Sequence, residues 1–439
     1  MKTTYSTEIG DLPVDWNVQR FDSLFSVQQG KQVSKKTRDG DNQIPFLRTK
    51  NVFWGRLDLS ELDEMHFTEG DENRLTLKSG DLLICEGGDV GRTAMWRGEL
   101  ARCYYQNHLH RARIRNGEAD SLFALYWLWY AFEVGSIYFG RGNVTTIPNL
   151  SQSKLCELPM PVPPFDEQQK IAGILNVVQE AIEQQEQLIQ KTTELKKTLL
   201  HQLFTHGLRN EPQKQTEIGP MPESWEIAEI GKMVNFFGGY AFKSEESIAI
   251  SNTQLVRMGN LYQDKLDLTR SPIFYPDDFA RRFYRFVLKP GDLIMSLTGT
   301  SGKEDYGFTV ELKSVPRTLL LNQRITRIDI ISDKLAKDYL HYFLLSRKFL
   351  DHLYRIAKGM KQANLSTHTM KLLKVPIPAI DEQKEIASQF QAFDRKIEFH
   401  QAKANSLRDL FRTLLHQLMT AQIRVNELEL QELETVGKE

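Results

Sequence analysis

The chain lacks most of what would commit it to a chemistry of its own. Its 439 residues include three cysteines, Cys85, Cys103 and Cys156, too few and too irregularly spaced for a disulfide framework or a thiolate metal site. They are expected to be reduced thiols in a cytoplasm. No apolar run approaches the ~18 residues that a membrane span requires, and no secretory leader is expected ahead of Asp11. A soluble, cytoplasmic protein without a membrane partner is expected. Charge excess is missing too: the net charge is -1 and the pI about 6.8, so a nucleic-acid-binding surface has to be local. Gly299-Thr-Ser-Gly-Lys303 invites comparison with a phosphate-binding loop, but Leu297 stands where that pattern has its first glycine and Glu304 replaces its Ser or Thr. There is no zinc cluster, no nucleophile elbow and no glycine fingerprint for a methyl donor. His108, His110, His201 and His416 lack partners at ligand spacing.

What the chain does have is itself twice. DEQQKIAGIL (166–175) and DEQKEIASQF (381–390) open two segments that LLHQLFT (199–205) and LLHQLMT (414–420) close, at one constant offset. The ungapped pairing begins earlier, at Asn149-Leu-Ser151 against Asn364-Leu-Ser366. Positions apolar in both copies are Ile171/Ile386, Leu175/Phe390, Val178/Phe393, Ile182/Ile397, Ile189/Ala404, Leu195/Leu410, Leu199/Leu414 and Leu203/Leu418. Their spacings are sums of threes and fours, which lay one apolar stripe along an α-helix. A proline-rich lead-in precedes each helix, and Asp166 or Asp381 is placed to cap its first amides. Each helix is a rod of roughly 60 Å. A bare stripe is unstable in water, so the two rods are expected to pack on each other as an antiparallel coiled coil.

The segments ahead of the rods are duplicated as well. Ile9, Gly10, Pro13 and Trp16 recur as Ile218, Gly219, Pro222 and Trp225. Phe46-Leu-Arg-Thr-Lys-Asn51 matches Leu255-Val-Arg-Met-Gly-Asn260, a strand running into a polar turn; Leu77-Lys-Ser-Gly-Asp-Leu-Leu83 matches Leu288-Lys-Pro-Gly-Asp-Leu-Ile294. A Gly-rich loop, a strand beginning at Gln106 or Asn322, and one closing helix near 119–139 or 337–357 complete each copy. The offset drifts across these domains, which locates insertions in loops on a retained scaffold. The fold class is α+β: two similar mixed-sheet domains joined by two long helices, a pseudo-twofold tandem repeat. We set the first domain at 1–158, its spacer helix at 159–210, the second domain at 211–373, its spacer helix at 374–425 and an acidic tail at 426–439, with Ile423-Arg-Val425 read as a short strand. Such a repeat can place equivalent elements on two half-sites of a duplex, and because the domains differ the target need not be palindromic.

The openings at Pro13/Trp16 and Pro222/Trp225, the Gly-Asp-Leu turns at Gly80 and Gly291, the Asn-Leu-Ser segments at Asn149 and Asn364, and the helix starts at Asp166 and Asp381 occur in one order, twice. In this the chain resembles the specificity subunits of type I restriction-modification systems over nearly its whole length. The resemblance implies two target recognition domains, each reading one part of a split double-stranded DNA site. It implies spacer helices that dock two methyltransferase subunits, with restriction/translocase subunits joining that core. It also implies that S-adenosylmethionine, ATP and magnesium belong to those partners, with no cofactor on this chain. The residues expected to serve the coiled coil or partner docking are Ile171, Leu175, Val178, Ile182 and Leu199 with Ile386, Phe390, Phe393, Ile397 and Leu414.

Arginine can bond guanine O6 and N7 together, and Asn or Gln can do the same for adenine. Candidate DNA contacts are therefore Arg48, Lys50, Asn51, Arg92, Arg141 and Asn143 in the first domain, and Arg257, Asn260, Lys303, Lys358, Lys361 and Gln362 in the second. The lysines suit phosphates. Asn51 and Asn260 equally suit turn residues that fold back on the backbone. Residues 92–115 carry six arginines interleaved with Trp96, Tyr104 and Tyr105, a strip fit either for a phosphate backbone or for a solvated strand edge. Arg281-Arg-Phe-Tyr-Arg285 reads as a basic helix start with the same two alternatives. The competing function is a free-standing nuclease using Asp277, Glu311 and Lys313, in which the carboxylates would hold a cation that activates water.

Overall fold

The computed structural model describes residues 4–38, 40–138, 149–262, 265–299, 303–357 and 365–425. The chain forms two compact units, one made of residues 1–187 and 400–439, the other of 188–399. Two helices, Phe165–His206 and Ile380–Met419, each pass from one unit into the other. They start one residue before Asp166 and Asp381, so these carboxylates sit inside the first turn, where the helix dipole favours them, rather than at the cap.

In the first unit a four-stranded antiparallel sheet runs in the order 93–95, 82–85, 109–114, 25–29. A smaller sheet pairs Tyr104–Tyr105 in parallel, and Asp63–His66 antiparallel, with Gln43–Leu47. Leu82–Cys85 is buried along its whole length because both sheet faces are covered. The second unit repeats this plan with strands 234–238, 325–330, 293–296 and 309–311, and with Thr318–Leu321 parallel to Thr253–Val256. In both copies the turn ahead of the central strand needs a glycine at positive φ, Gly80 at 91° and Gly291 at 88°. The following aspartate accepts the turn's amide: Lys78 N–H reaches Asp81 Oδ2 at 2.7 Å, and Lys289 N–H reaches Asp292 Oδ2 at 2.8 Å. The closing helix departs from expectation. Ser121–Trp129 is capped by Asp120 and widens into a π-turn at Tyr130–Val134, whereas the second copy breaks into Lys337–Leu345 and Arg347–Ala357. The break is at Ser346, whose extended backbone ends one helix while its hydroxyl accepts Phe349 N–H at 3.2 Å.

Within each unit the long helices run antiparallel. In the first, Gln185 meets His400 (2.8 Å), and Glu167, nearer the start of its helix, meets Arg424 beyond the end of the other (2.8 Å). Ile171, Leu175, Val178 and Ile182 are buried in one core with Phe411, Leu415, Leu418 and Phe123. In the second unit Leu200, Leu203 and Phe204 share a core with Ile386, Phe390 and Tyr339, and Lys196 pairs with Asp394. Leu199, Phe393, Ile397 and Leu414 are half-buried. Leu195 and Leu410 leave the stripe, at 58% and 46% exposed, because 3.6 residues per turn carries a fixed repeat around the helix. Ile423-Arg-Val425 is no strand: after the helix the chain turns, and Arg424 pairs with Asp15 (2.6 Å) and Glu167 while lying over the Trp16 ring.

The third residue of each Asp-Glu-Gln triplet ties rod to domain. Gln168 accepts Asp120 N–H (2.9 Å) and donates to the carbonyls of Glu118 (2.8 Å) and Pro163 (2.9 Å). Gln383 does the same with Ala336 N–H (2.8 Å) and the carbonyls of Lys334 (2.8 Å) and Pro378 (2.9 Å). Both are fully buried. Gln168→Leu or Gln383→Leu should destabilise the protein by about 1–3 kcal/mol for each backbone group left unpaired. Chemical denaturation with an unshifted midpoint would refute this role.

Candidate nucleic-acid interface

Each recognition domain presents a 3₁₀ turn at the end of a buried strand, Thr49–Asn51 and Met258–Asn260. Asn51 accepts Arg48 N–H (2.9 Å) and donates to the carbonyls of Asp58 and Glu61 (both 3.0 Å). Asn260 repeats this with Arg257 N–H (2.9 Å) and the carbonyls of Asp267 (2.8 Å) and Arg270 (3.0 Å). At 3% and 2% exposure, with both amide ends engaged, these two side chains hold the turn and do not face a base. That corrects their expected use as adenine readers.

What the turn holds out is the arginine at its entrance. Arg48 is exposed and pairs with Asp63 at 2.6 Å; Lys50 lies 3.4 Å from Asp63 and 3.6 Å from Glu61. The Arg48 guanidinium, with Lys50 behind it, keeps the Asp63 carboxyl below its ordinary value. Arg257 is half-buried and donates to Ser271 O at 2.5 Å. Arg92 is occupied: it binds Asp89 (2.5 Å) and Thr49 O (2.7 Å) and lies over the Phe53 ring, so it buttresses the turn. Lys303 is exposed. Arg141, Asn143, Lys358, Lys361 and Gln362 lie outside the described residues.

Beside Arg48 runs a groove of about 760 Å³ lined by Gln32, Glu64, Gln106, Asn107 and His108 among others. The last three form a turn where a strand start was expected, since the strand begins at Leu109. Asn107 N–H donates to Lys31 O at 2.9 Å, and a Cβ on Gly30 would stand 2.2 Å from Gln106 O. The second domain repeats the arrangement: Gln323 N–H donates to Tyr240 O at 3.0 Å, and a Cβ on Gly239 would stand 2.1 Å from Asn322 O. Only glycine allows so close an approach. Gln106-Asn-His108 and Asn322-Gln-Arg324 thus occupy one place in the frame. Sequence reasoning passed over them although the signal was present, two amides followed by a basic residue in both copies.

The arginine strip is not one free face. Trp96, Tyr104 and Tyr105 are core residues; Arg113 pairs with Asp81 (2.6 Å), Arg102 with Glu72 (3.0 Å) and Arg97 with Glu180 (3.7 Å), while Arg111 and Arg115 donate to backbone carbonyls. The nuclease candidates do not converge. Asp277 accepts the Thr253 hydroxyl (2.8 Å), Glu311 pairs with Lys337 (2.6 Å) and Lys313 with Glu398. Among the described residues no three His, Cys, Asp or Glu side chains gather as a metal site, and no helix is long and apolar enough to cross a membrane.

Comparison with known proteins agrees with this duplicated plan. The family model for the type I restriction modification DNA specificity domain matches residues 13–194 and again 222–409. The chain is 24% identical over 423 residues to the type I restriction enzyme MjaVIII specificity subunit of Methanocaldococcus jannaschii, covering 95% of each. It is 23% identical over 431 residues to the putative MjaX specificity subunit of the same organism, covering 95% of this chain and 96% of that one. A solved type I restriction-modification S subunit from M. genitalium superposes with a TM-score of 0.57 at 17% identity, over 92% of this chain and 96% of that one, which shows a shared fold. With both halves matched in order, the chain belongs to the type I restriction modification DNA specificity domain family.

Proposed function

We propose that this chain is the DNA-recognition and assembly subunit of a type I restriction-modification complex, working on double-stranded DNA in the cytoplasm. Each domain reads one half of a split, asymmetric site. What carries this reading is the pair of matched turns: the frame that holds them is the same in both copies, while the side chains they leave accessible, Asn107 and His108 against Asn322, Gln323 and Arg324, differ. Amide and basic side chains are the chemistry that distinguishes base edges, and Arg48 and Arg257 stand at the neighbouring turn. Lys50 and Lys303 suit phosphates. Recognition requires no catalytic group, and the residues of the nuclease alternative are engaged elsewhere. S-adenosylmethionine, ATP and magnesium would be bound by the partner subunits.

For those partners the matched, exposed Leu195 and Leu410 supply an apolar point on each helix. Two equivalent points suit two copies of one partner, the pair of methyltransferase subunits, with restriction/translocase subunits joining through them. The buried positions of the stripe serve the helix pair itself.

The decisive experiment is to co-express the chain with its methyltransferase and map adenine methylation across the host genome. The expected result is a motif with two specified parts and a fixed gap, of which replacing residues 1–150 by another recognition domain changes only one. Co-purifying proteins that add no new methylation would defeat the reading. Asn107→Ala or Arg48→Ala should relax the first part alone, each at about 1–3 kcal/mol of discrimination, and Gln323→Ala or Arg324→Ala the second alone; pooled-motif sequencing separates the two. Leu195→Glu or Leu410→Glu should each cost one methyltransferase copy, read as complex mass, and an unchanged mass would reject the docking points.

A further inference from the structure

The two recognition domains carry opposite charge at one place in their common frame. Between strands Asp63–His66 and Leu82–Cys85 the first domain has the helix Glu69–Leu75, with Glu69, Asp71 and Glu72 in its first turn. Asp71 grips Lys31 at 2.6 Å, and Lys31 lies over the Phe67 ring. The position matching Lys31 is Tyr240, since both stand in parallel bridges to the matched turns, Lys31 to Gln106 and Tyr240 to Asn322. Against Tyr240 the second domain packs its own segment, Phe279–Arg282 followed by Tyr284–Phe286, with ring centroids 4.9 Å away at Phe283 and 5.3 Å at Phe286. Where the first domain has carboxylates, this segment has Arg281, Arg282 and Arg285.

The carboxylates nearby do not neutralise it. Asp277 is taken by Thr253, and Asp278 and Glu246 both lie against Arg282, at 3.5 and 3.9 Å. Arg281 and Arg285 are exposed, with no carboxylate partner among the described residues. Tyr284, between them in sequence, is 72% exposed. Beneath them the rings of Phe242, Tyr275, Phe279 and Phe283 stack at 5.1–6.3 Å. The backbone of these residues is therefore held by a packed aromatic platform, which lowers the ordering cost of a contact made there. Two exposed guanidiniums without a carboxylate partner among the described residues, and an exposed phenol on the same short segment, fit a ligand of regularly repeated single negative charges.

Resting on the recognition function proposed above, we infer that Arg281, Tyr284 and Arg285 form a DNA-backbone clamp belonging to the second domain alone. The second half-site then carries the larger share of the salt-sensitive affinity, while base identity is read at the matched turns. Phosphate contacts position a protein without specifying sequence, and each one lost lowers the slope of log affinity against log salt by ~0.9.

The test uses the assembled methyltransferase complex and a duplex carrying the mapped methylation site, with affinity measured over a salt series. Arg281→Ala/Arg285→Ala should reduce the slope by about 2 and leave the methylated motif unchanged. Tyr284→Phe should weaken binding without altering the motif. The control Arg74→Ala, in the matched helix of the first domain, should leave the slope as it was. A wild-type slope in the double variant, with an unchanged melting curve, overturns the clamp. So does a relaxed second half of the motif, which would make these residues base readers. Absence of salt-dependent, site-specific binding by the unaltered complex would instead reject the recognition function itself.

Discussion

A buried amide that must satisfy three backbone groups at once is the constraint on which the rest depends. Gln168 and Gln383 each sit where a rod leaves its domain, bridging the proline-rich lead-in, the loop before the closing helix and that helix's first amide. A buried amide tolerates little movement, since each unmade bond costs the full desolvation of its group. The direction in which each rod departs is thereby set relative to the sheets that carry the recognition turns. In the first unit the tryptophan of the Pro-x-x-Trp opening joins the same junction, donating from Nε1 to Glu167 Oε2 at 3.0 Å.

The copies are equivalent in frame and unequal in detail at the same junction. Arg424 closes the first with two carboxylates, whereas in the second, among the described residues, Trp225 Nε1 is buried with no partner and Glu382 accepts Leu208 N–H at 3.4 Å. The recognition faces follow the same rule. Invariant hydrogen bonding at Asn51 and Asn260 supports arginines in different surroundings, and an acidic helix in one domain answers a basic, aromatic one in the other. Duplicated geometry with diverged surface chemistry is what reading two unlike half-sites demands.

Periodicity and self-matching made the architecture legible. The stripe from Ile171 to Ile182 is buried as its spacing requires, and the strand-turn pairs at Asn51 and Gly80 fold as their residues suggest. The stripe misled at Leu195 and Leu410, where a helix rotates away from a partner that a fixed repeat assumes it keeps facing. The site was harder to see for a different reason. Asn51 and Asn260 match because the turn needs them, so at that position agreement between the copies marked scaffold. Gln106 to His108 looked like the start of a strand, and only the bridge to Lys31 reveals a turn at the edge of a groove. Arg97, Arg102 and Arg113 looked available because their carboxylate partners, Glu180, Glu72 and Asp81, lie elsewhere in the chain.

The first unit is assembled from both ends of the described chain, whereas the second is a single continuous stretch. During synthesis, all of the second unit emerges before Phe411, Leu415 and Leu418 exist to complete the first unit's core. The earlier-made domain must therefore wait, with one side of its helix uncovered, until the later-made one has been produced. A pause or truncation just after residue 399 leaves a finished second unit attached to a first unit that still lacks part of its core, a state in which exposed apolar surface invites aggregation or chaperone capture.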